Sequence, residues 1–323
     1  DGLESRGLGD VYKRQDFPMI VAPMFLVSNK QMIIEATKAG VTGAIPALNY
    51  RTVDELRKVI RELKAEASGP FGINLIVNKS NFLYKEQLKA CCEEKVDYLI
   101  TSLGSPEETI KQCKAAGVKV FCDVVDVRFA KKVEALGADA VIAVNKEAGG
   151  HAGPMSFKEL LPLLKKECSI PVISAGGVGN GFEAKEMMEF GADGLSMGSV
   201  FIASKEADVS TEYKQACVDY GKDDIVMTTK LSGTPCTVIN TPYVKKIGTK
   251  QNWLERFLNK NKRLKKWFKA FTFMKGMKRL QKAAFSTTYK TVWCAGPSIE
   301  HVKEIRPLGE IVASIRKEYE QAS

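Results

Sequence analysis

The fold is decided most clearly by residues 170–199, which read IPVISAGGVGNGFEAKEMMEFGADGLSMGS. This stretch begins with a short apolar run, continues as an amphipathic segment with helical periodicity, and ends in a second short apolar run. Gly191 stands just before the second run, where it suits the left-handed residue that closes a helix. Neither run alternates with polar residues, which is typical of parallel strands covered on both faces. Residues 170–199 therefore predict one strand–helix–strand unit.

The same unit recurs along most of the chain. Its apolar runs are about 20 to 30 residues apart, as expected for one strand and one helix. Eight runs fit this pattern: Pro18–Met24, Thr42–Leu48, Phe71–Val77, Tyr98–Leu103, Lys119–Val124, Ala140–Val144, Pro171–Gly177 and Gly194–Ser199. Further helical segments end in glycine at Gly40, Gly117 and Gly137. Eight units in one run favour an α/β fold of the closed (β/α)8 TIM barrel type.

An open, Rossmann-like sheet is the alternative to the barrel. That fold normally places a glycine-rich turn after its first strand. Here the turn reads Ala22-Pro23-Met24-Phe25, and no GxGxxG fingerprint follows it. The closed barrel is therefore the better prediction.

The regular rhythm stops after Ser204 and resumes with a helical pattern over Ile299–Glu320. We therefore predict a barrel core over residues 16–204 and a closing barrel helix within residues 299–323. The intervening residues 205–298 are expected to form a helical, Lys-rich excursion at the carboxyl-terminal face, where barrels place their binding loops.

The positive charge of the chain is concentrated in residues 250–282. The net charge is +10, and this segment alone carries twelve Lys or Arg against one acid, so the rest of the chain sums to −1. A helical cap with its lysines in water is the simplest interpretation. A membrane surface, an acidic partner protein or an anionic substrate are alternatives, and no nucleic-acid-binding fold accompanies the patch.

The first fifteen residues carry neither a strand nor a helix period. Residues 5–15, SRGLGDVYKRQ, resemble an in-frame translation of a sequencing-library adapter. We therefore expect residues 1–15 to be a disordered artefact of sequence assembly and the native start to be lost just before Asp16.

Composition and motif searches exclude several classes of protein. No run of about 18 uncharged apolar residues predicts a membrane-spanning helix. The eight cysteines show no CxxC spacing, so we interpret them as reduced thiols of a cytoplasmic protein. HExxH does not occur, which argues against a zinc protease of that type. Asp123 and Asp126 flank the end of strand five, and a helix N-cap explains Asp126.

Glycines mark the ends of the last two predicted strands. Strand seven ends in Gly176 and Gly177, and strand eight ends in Gly198 and Ser199. Glycines let backbone N–H groups approach an anion, and barrels often bind a phosphate after strands seven and eight. Ordinary tight turns would explain either cluster alone, but both together predict a phosphate site.

His151 is the candidate acid–base residue. It lies in EAGGHAG, residues 147–153, directly after strand six, where Gly149 and Gly150 leave room for a flat cofactor. Imidazole exchanges protons near neutral pH, so this position suits a general base or acid. A loop histidine bonded to a backbone carbonyl is the alternative. His301, the second histidine of the chain, lies in a charged helical context and is the weaker candidate.

Asn74 lies inside the apolar run FGINLIV. A buried amide needs hydrogen-bond partners. Those partners are either other core groups or a ligand at the strand end, and the sequence leaves both interpretations open.

Five motifs together resemble the nitronate monooxygenase family, formerly called 2-nitropropane dioxygenases. They are DFPMIVAPM (16–24), FGINL (71–75), EAGGHAGP (147–154), IPVISAGGVGNG (170–181) and GADGLSMGSVFIASKEA (191–207). The resemblance spans Asp16 to about Glu320. It extends to the FMN-dependent enoyl-acyl-carrier-protein reductase II, from which these motifs do not separate the chain.

The resemblance implies an FMN-binding barrel and assigns roles to residues. His151 would be the active-site base or proton donor. The phosphate of FMN would be held by Gly176, Gly177, Gly198 and Ser199. The flavin ring would be contacted by Ala22, Pro23, Met24, Asn74 and, through backbone, Ala295 and Gly296. Ser199 stands where the family often has threonine, and Pro297 replaces a glutamine.

The activity implied is the FMN-dependent oxidation of a nitronate or nitroalkane with O2. An NAD(P)H-dependent reductase of enoyl thioesters or quinones is the alternative on the same barrel, because the family's relatives include such reductases. The Lys- and aromatic-rich insert is longer than we expect in the family, which leaves the substrate open. A non-enzymatic module that binds membranes or acidic partners through residues 250–282 is the third interpretation. A homo-oligomer is compatible with each.

Overall fold

The barrel predicted from the sequence is confirmed by a computed structural model, which describes residues 17–78, 81–230, 235–250 and 292–322. Eight parallel strands form a closed barrel, in which the first and last pair side by side. They are β1 (Met19–Val21), β2 (Thr42–Pro46), β3 (Phe71–Ile76), β4 (Tyr98–Ser102), β5 (Lys119–Val124), β6 (Ala140–Val144), β8 (Val172–Ala175) and β9 (Gly194–Met197).

Helices alternate with the barrel strands. The described helices are α1 (Lys30–Lys38), α2 (Val53–Glu66), α3 (Tyr84–Glu93), α4 (Glu107–Ala116), α5 (Val127–Ala135), α6 (Phe157–Glu167), α7 (Gly181–Glu189), α8 (Thr211–Asp219), α9 (Pro242–Ile247) and α10 (Leu308–Gln321). The side chain of Asp126 caps α5 by accepting from the N–H of Phe129, as predicted. The glycines that follow the helical segments, Gly40, Gly117, Gly137 and Gly191, all have positive φ.

The barrel interior is filled with side chains rather than left as a pore. The rings of Tyr98 and Phe121 stack with centroids 4.8 Å apart. They belong to an interior cluster of Ile20, Ala44, Tyr98, Ile100, Phe121, Ala140, Ile142 and Ile173. A ligand must therefore bind at an end of the barrel, above this layer.

Residues 205–298 contain strands as well as the predicted helices. Strands β10 (Ile225–Thr228) and β11 (Cys236–Ile239) pair antiparallel, and β11 also pairs with the two-residue strand β7 (Gly150–His151). Both longer strands are rich in β-branched residues, which favour extended backbone.

The closing helix begins later than predicted. A 3₁₀ turn covers Pro297–His301, and α10 starts only at Leu308 because Pro307 disfavours helical backbone before it. The N-terminal stretch 1–15 and the predicted basic cap, apart from Lys250, lie outside the described residues.

Candidate active site

A cavity of about 620 Å³ opens at the carboxyl ends of the barrel strands. Because the strands are parallel, the loops that follow them meet at this one face. The floor of the cavity includes Ile100 and Ile142 from the interior cluster. Most of the site residues predicted from the sequence line it: Ala22, Pro23, Met24, Asn74, Gly149, Gly150, His151, Gly176, Gly177, Gly198 and Ser199.

The loop after β8 needs glycine for its geometry. Gly176 and Gly177 have φ of +109° and +80°, and a Cβ on Gly176 would lie 2.4 Å from the backbone nitrogen of Ala148. The backbone N–H groups of Gly177, Val178 and Ser199 donate no hydrogen bond to another described residue. Val178 and Ser199 are buried. N–H groups in that situation suit a bound anion, because an unsatisfied buried donor is costly.

The hydroxyl of Ser199 also holds the C-terminal segment in place. Its Oγ accepts a hydrogen bond of 2.8 Å from the N–H of Gly296, so its own hydrogen is left to donate. Gly149 packs so closely that an added Cβ would lie 2.7 Å from this oxygen. Ala295 and Gly296 do not line the cavity. They contact Gly149 and Ser199, and their backbone contact with the flavin stays a prediction.

His151 is held by strand pairing rather than by a simple loop. It lies in β7 with Cys236 of β11 opposite. Burial lowers the pKa of His151 below its ordinary value of 6.5, so the imidazole is neutral at pH 7 and able to accept a proton. The sequence alone gave no local sign of this strand, because its partner comes about 85 residues later in the chain.

His301 is not part of the cavity wall. Its Nε2 lies 2.9 Å from Glu183, and this hydrogen bond raises the pKa of His301. The 3₁₀ turn that contains it ends at His301, whereas the sequence placed this residue at the start of a helix. Of the two histidines, His151 alone lines the cavity.

Asn74 is part of a hydrogen-bonded chain at the ends of three neighbouring strands. Its amide nitrogen donates to the carbonyl of Ile100 at 3.2 Å and to Ser102 Oγ at 2.8 Å. Ser102 in turn donates to Asp123 Oδ2 at 2.5 Å. Because the carbonyl of Ile100 can only accept, the amide orientation is fixed. Core groups therefore use both N–H donors of Asn74, and its Oδ1 is the atom that can accept from a ligand.

Asp123 is a cavity residue to which the sequence alone assigns no role. It lines the cavity beside Ser102, and burial raises the pKa of its carboxyl to about 6, while the hydrogen bond from Ser102 acts in the opposite direction. A carboxyl titrating there can exchange protons at physiological pH. The available signal was a carboxylate between the apolar residues of VFCDV, residues 120–124.

Asp123→Asn is expected to stabilise the folded protein at pH 8. The pKa of this carboxyl is 3.8 in the unfolded chain and about 6 in the folded protein, so protonation of Asp123 favours the folded state. This contribution to stability is complete below pH 3.8 and is lost as the pH rises through 6. The variant should raise the free energy of unfolding by about 1–3 kcal/mol at pH 8, and by much less at pH 4. Urea unfolding at both pH values measures this, with Asp126→Asn as the control for removing a nearby charge. An equal gain at both pH values would contradict the assignment.

Two further searches cover only the described parts of the chain. No group of three or more His, Cys, Asp or Glu side chains there is arranged to hold a metal ion. Within the same ranges, no helix has both the length and the apolar character needed to cross a membrane.

Comparisons with known proteins agree with this geometry. Residues 78–318 match the sequence model of the nitronate monooxygenase family. A hydroxy-methyl-oxo-octahydroindene-carboxyl-CoA dehydrogenase of Rhodococcus jostii is 32% identical over 80% of this chain and 72% of its own. A nitronate monooxygenase of Paraburkholderia phytofirmans is 28% identical over 68% of this chain and 72% of its own. FabK of Thermotoga maritima superimposes with a TM-score of 0.83, at 28% identity, over 98% of this chain and 96% of its own.

Proposed function

The chain belongs to the nitronate monooxygenase family, as its motifs predicted, and from this premise we propose that it binds FMN and oxidises nitronates or nitroalkanes with O2. It is an oxidoreductase of a family of flavoproteins. One observation carries the finer proposal: His151 and both glycine-lined strand ends border the same cavity. This arrangement supports the proposal that an acid–base group and an anion site act on one ligand.

The cavity residues fit FMN at both of its ends. The phosphate would be bound by the backbone N–H groups of Gly177, Val178 and Ser199, which donate no hydrogen bond to another described residue. At the other end, Asn74 Oδ1 would accept from the imide N–H of the ring system. When bound, FMN would supply the two-electron chemistry that links the substrate to O2.

The chain itself contributes proton transfer and exclusion of water. A neutral nitroalkane must lose its α-proton to become a nitronate, and the neutral imidazole of His151 would accept that proton. A preformed nitronate requires no such step. The apolar floor, with Ile100 and Ile142, keeps the proton transfer in a medium of low dielectric, where charges interact more strongly than in water.

A reductase of enoyl thioesters or quinones that uses NAD(P)H is the second candidate. The structural similarity to FabK, an enoyl-acyl-carrier-protein reductase II, and the sequence similarity to the indene-carboxyl-CoA dehydrogenase, which is named for a thioester substrate, favour it. Both candidates place FMN and His151 in the same cavity. They differ in whether a nicotinamide or the organic substrate delivers electrons.

An absorbance spectrum followed by anaerobic stopped-flow mixing tests these proposals. We expect the purified protein to show a flavin spectrum, and ethylnitronate to bleach it faster than NADH does. The opposite order, with reoxidation by an enoyl thioester or a quinone, would select the reductase. A protein that takes up no FMN when it is supplied in excess would exclude both candidates.

A further inference from the structure

Two cysteines face each other in the wall of the cavity. Cys236 begins β11, and Cys294 lies near the start of the described range 292–322. Their sulfur atoms are 3.7 Å apart, and both residues line the cavity. A disulfide requires about 2.05 Å, so closure needs each sulfur to move by only about 1 Å.

The backbone on both sides of the pair is already held together. The N–H of Ile239, in the same strand as Cys236, donates to the carbonyl of Trp293 at 2.9 Å. The hydroxyl of Tyr213 donates to the carbonyl of Cys294 at 2.5 Å. Cys236 also packs in a small cluster with Val238, Val244 and Val292, against which Cys294 is placed. Closure of the bond therefore does not have to bring two distant segments together.

We propose that Cys236 and Cys294 form a peroxide-sensitive dithiol that closes to a disulfide across the cavity wall. Cys294 is the more exposed of the two, so its thiolate attacks first. Attack breaks the O–O bond of hydrogen peroxide and gives a sulfenic acid and hydroxide. The sulfur of Cys236 then displaces the sulfenic oxygen as water and forms the S–S bond. In total, two thiols lose two protons and two electrons, and one peroxide becomes two waters.

The bond would change how the candidate base is held. Cys236 lies opposite His151 in the small sheet, so a disulfide to Cys294 ties the neighbouring strand of His151 to the C-terminal segment. The same bond would close residues 236–294 into a covalent loop. Oxidation would thus modify the wall of the cavity in which FMN is proposed to bind.

Peptide mapping of the purified full chain tests the dithiol. The protein is treated with a small excess of hydrogen peroxide, alkylated and digested without reductant. We expect one peptide pair joined through Cys236 and Cys294, two mass units lighter than the reduced pair, and lost after dithiothreitol. The proposal is overturned if both cysteines remain separately alkylated, or if Cys294 ends as a sulfinic acid.

Matched variants test whether the cross-link is specific to Cys236 and Cys294 or forms between any two cysteines that lie close together. Cys92 and Cys113 have a similar sulfur separation of 3.8 Å but lie on α3 and α4, outside the cavity lining. Cys92→Ser should keep the cross-link at the cavity, whereas Cys294→Ser should leave Cys236 alkylatable. Because Cys294 is only half-buried, its serine variant should fold even if Cys236→Ser does not. Protection of Cys236 from alkylation in peroxide-treated Cys294→Ser would contradict the proposal.

Discussion

Replacing His151 with asparagine is expected to lower turnover of neutral nitroalkanes by about 10²- to 10⁴-fold, the usual contribution of a well-placed general base. The protein should keep its flavin, because the proposed phosphate-binding groups are backbone N–H groups of other residues and not the side chain of His151. Preformed nitronates should lose much less activity, since they have no α-proton to transfer. Steady-state rates on a nitroalkane and on its nitronate, measured for the same preparation, give the ratio of the two activities, and this ratio should fall in the variant.

The pH profile and the second histidine provide the controls. Burial holds the pKa of His151 below 6.5, so wild-type turnover of nitroalkanes should fall as the pH drops below that pKa. The His151→Asn variant should lack this decline. His301→Asn, which alters a residue outside the cavity wall, should leave the nitroalkane-to-nitronate ratio unchanged. An equal loss on both substrates in His151→Asn would argue against proton abstraction.

Gly198→Asp is expected to weaken FMN binding by about 10³-fold. A carboxylate next to a phosphate at about 4 Å costs about 4 kcal/mol at an effective dielectric constant of about 20. Gly198 lines the cavity and has a φ of −120°, so its backbone tolerates a side chain. The variant should therefore fold but be purified without yellow colour. Titration of the apoprotein with FMN, monitored through the quenching of flavin fluorescence, measures the loss of affinity.

Gly198→Asn separates charge from size. An added Cβ would lie 3.3 Å from the sulfur of Met24 and 3.4 Å from the Cβ of Ala22, so either side chain requires only a small adjustment. The asparagine variant should bind FMN more tightly than the aspartate variant, because it lacks the negative charge. Full FMN occupancy in Gly198→Asp would show that the phosphate is bound elsewhere.

Local patterns were sufficient to predict the barrel. Each unit combines an apolar strand with an amphipathic helix. Glycines such as Gly117 close the helices with positive φ, and a glycine at that position is visible in the sequence. The small sheet was missed because β7 has only two residues, Gly150 and His151, and gains its partner from a distant part of the chain. Periodicity cannot reveal a strand that spans a single two-residue repeat.

The site was predictable where one residue type is required by geometry. Gly176 and Gly177 need positive φ, and the structure places both on the cavity. The link from Asn74 through Ser102 to Asp123 was not predictable, because it depends on the lateral register of β3, β4 and β5. Ala295 and Gly296 were marked by a family motif alone, and the contact of Gly296 with Ser199 depends on packing that no local pattern shows.

The pairing of β7 with β11 means that the position of His151, the candidate base, depends on the excursion of residues 205–298. A chimera that takes residues 205–250 from a relative in order to alter selectivity would also replace β11, the strand that pairs with His151. Reactivity and selectivity would then shift together, so a chimera would have to exchange residues 147–153 and 236–239 as one unit.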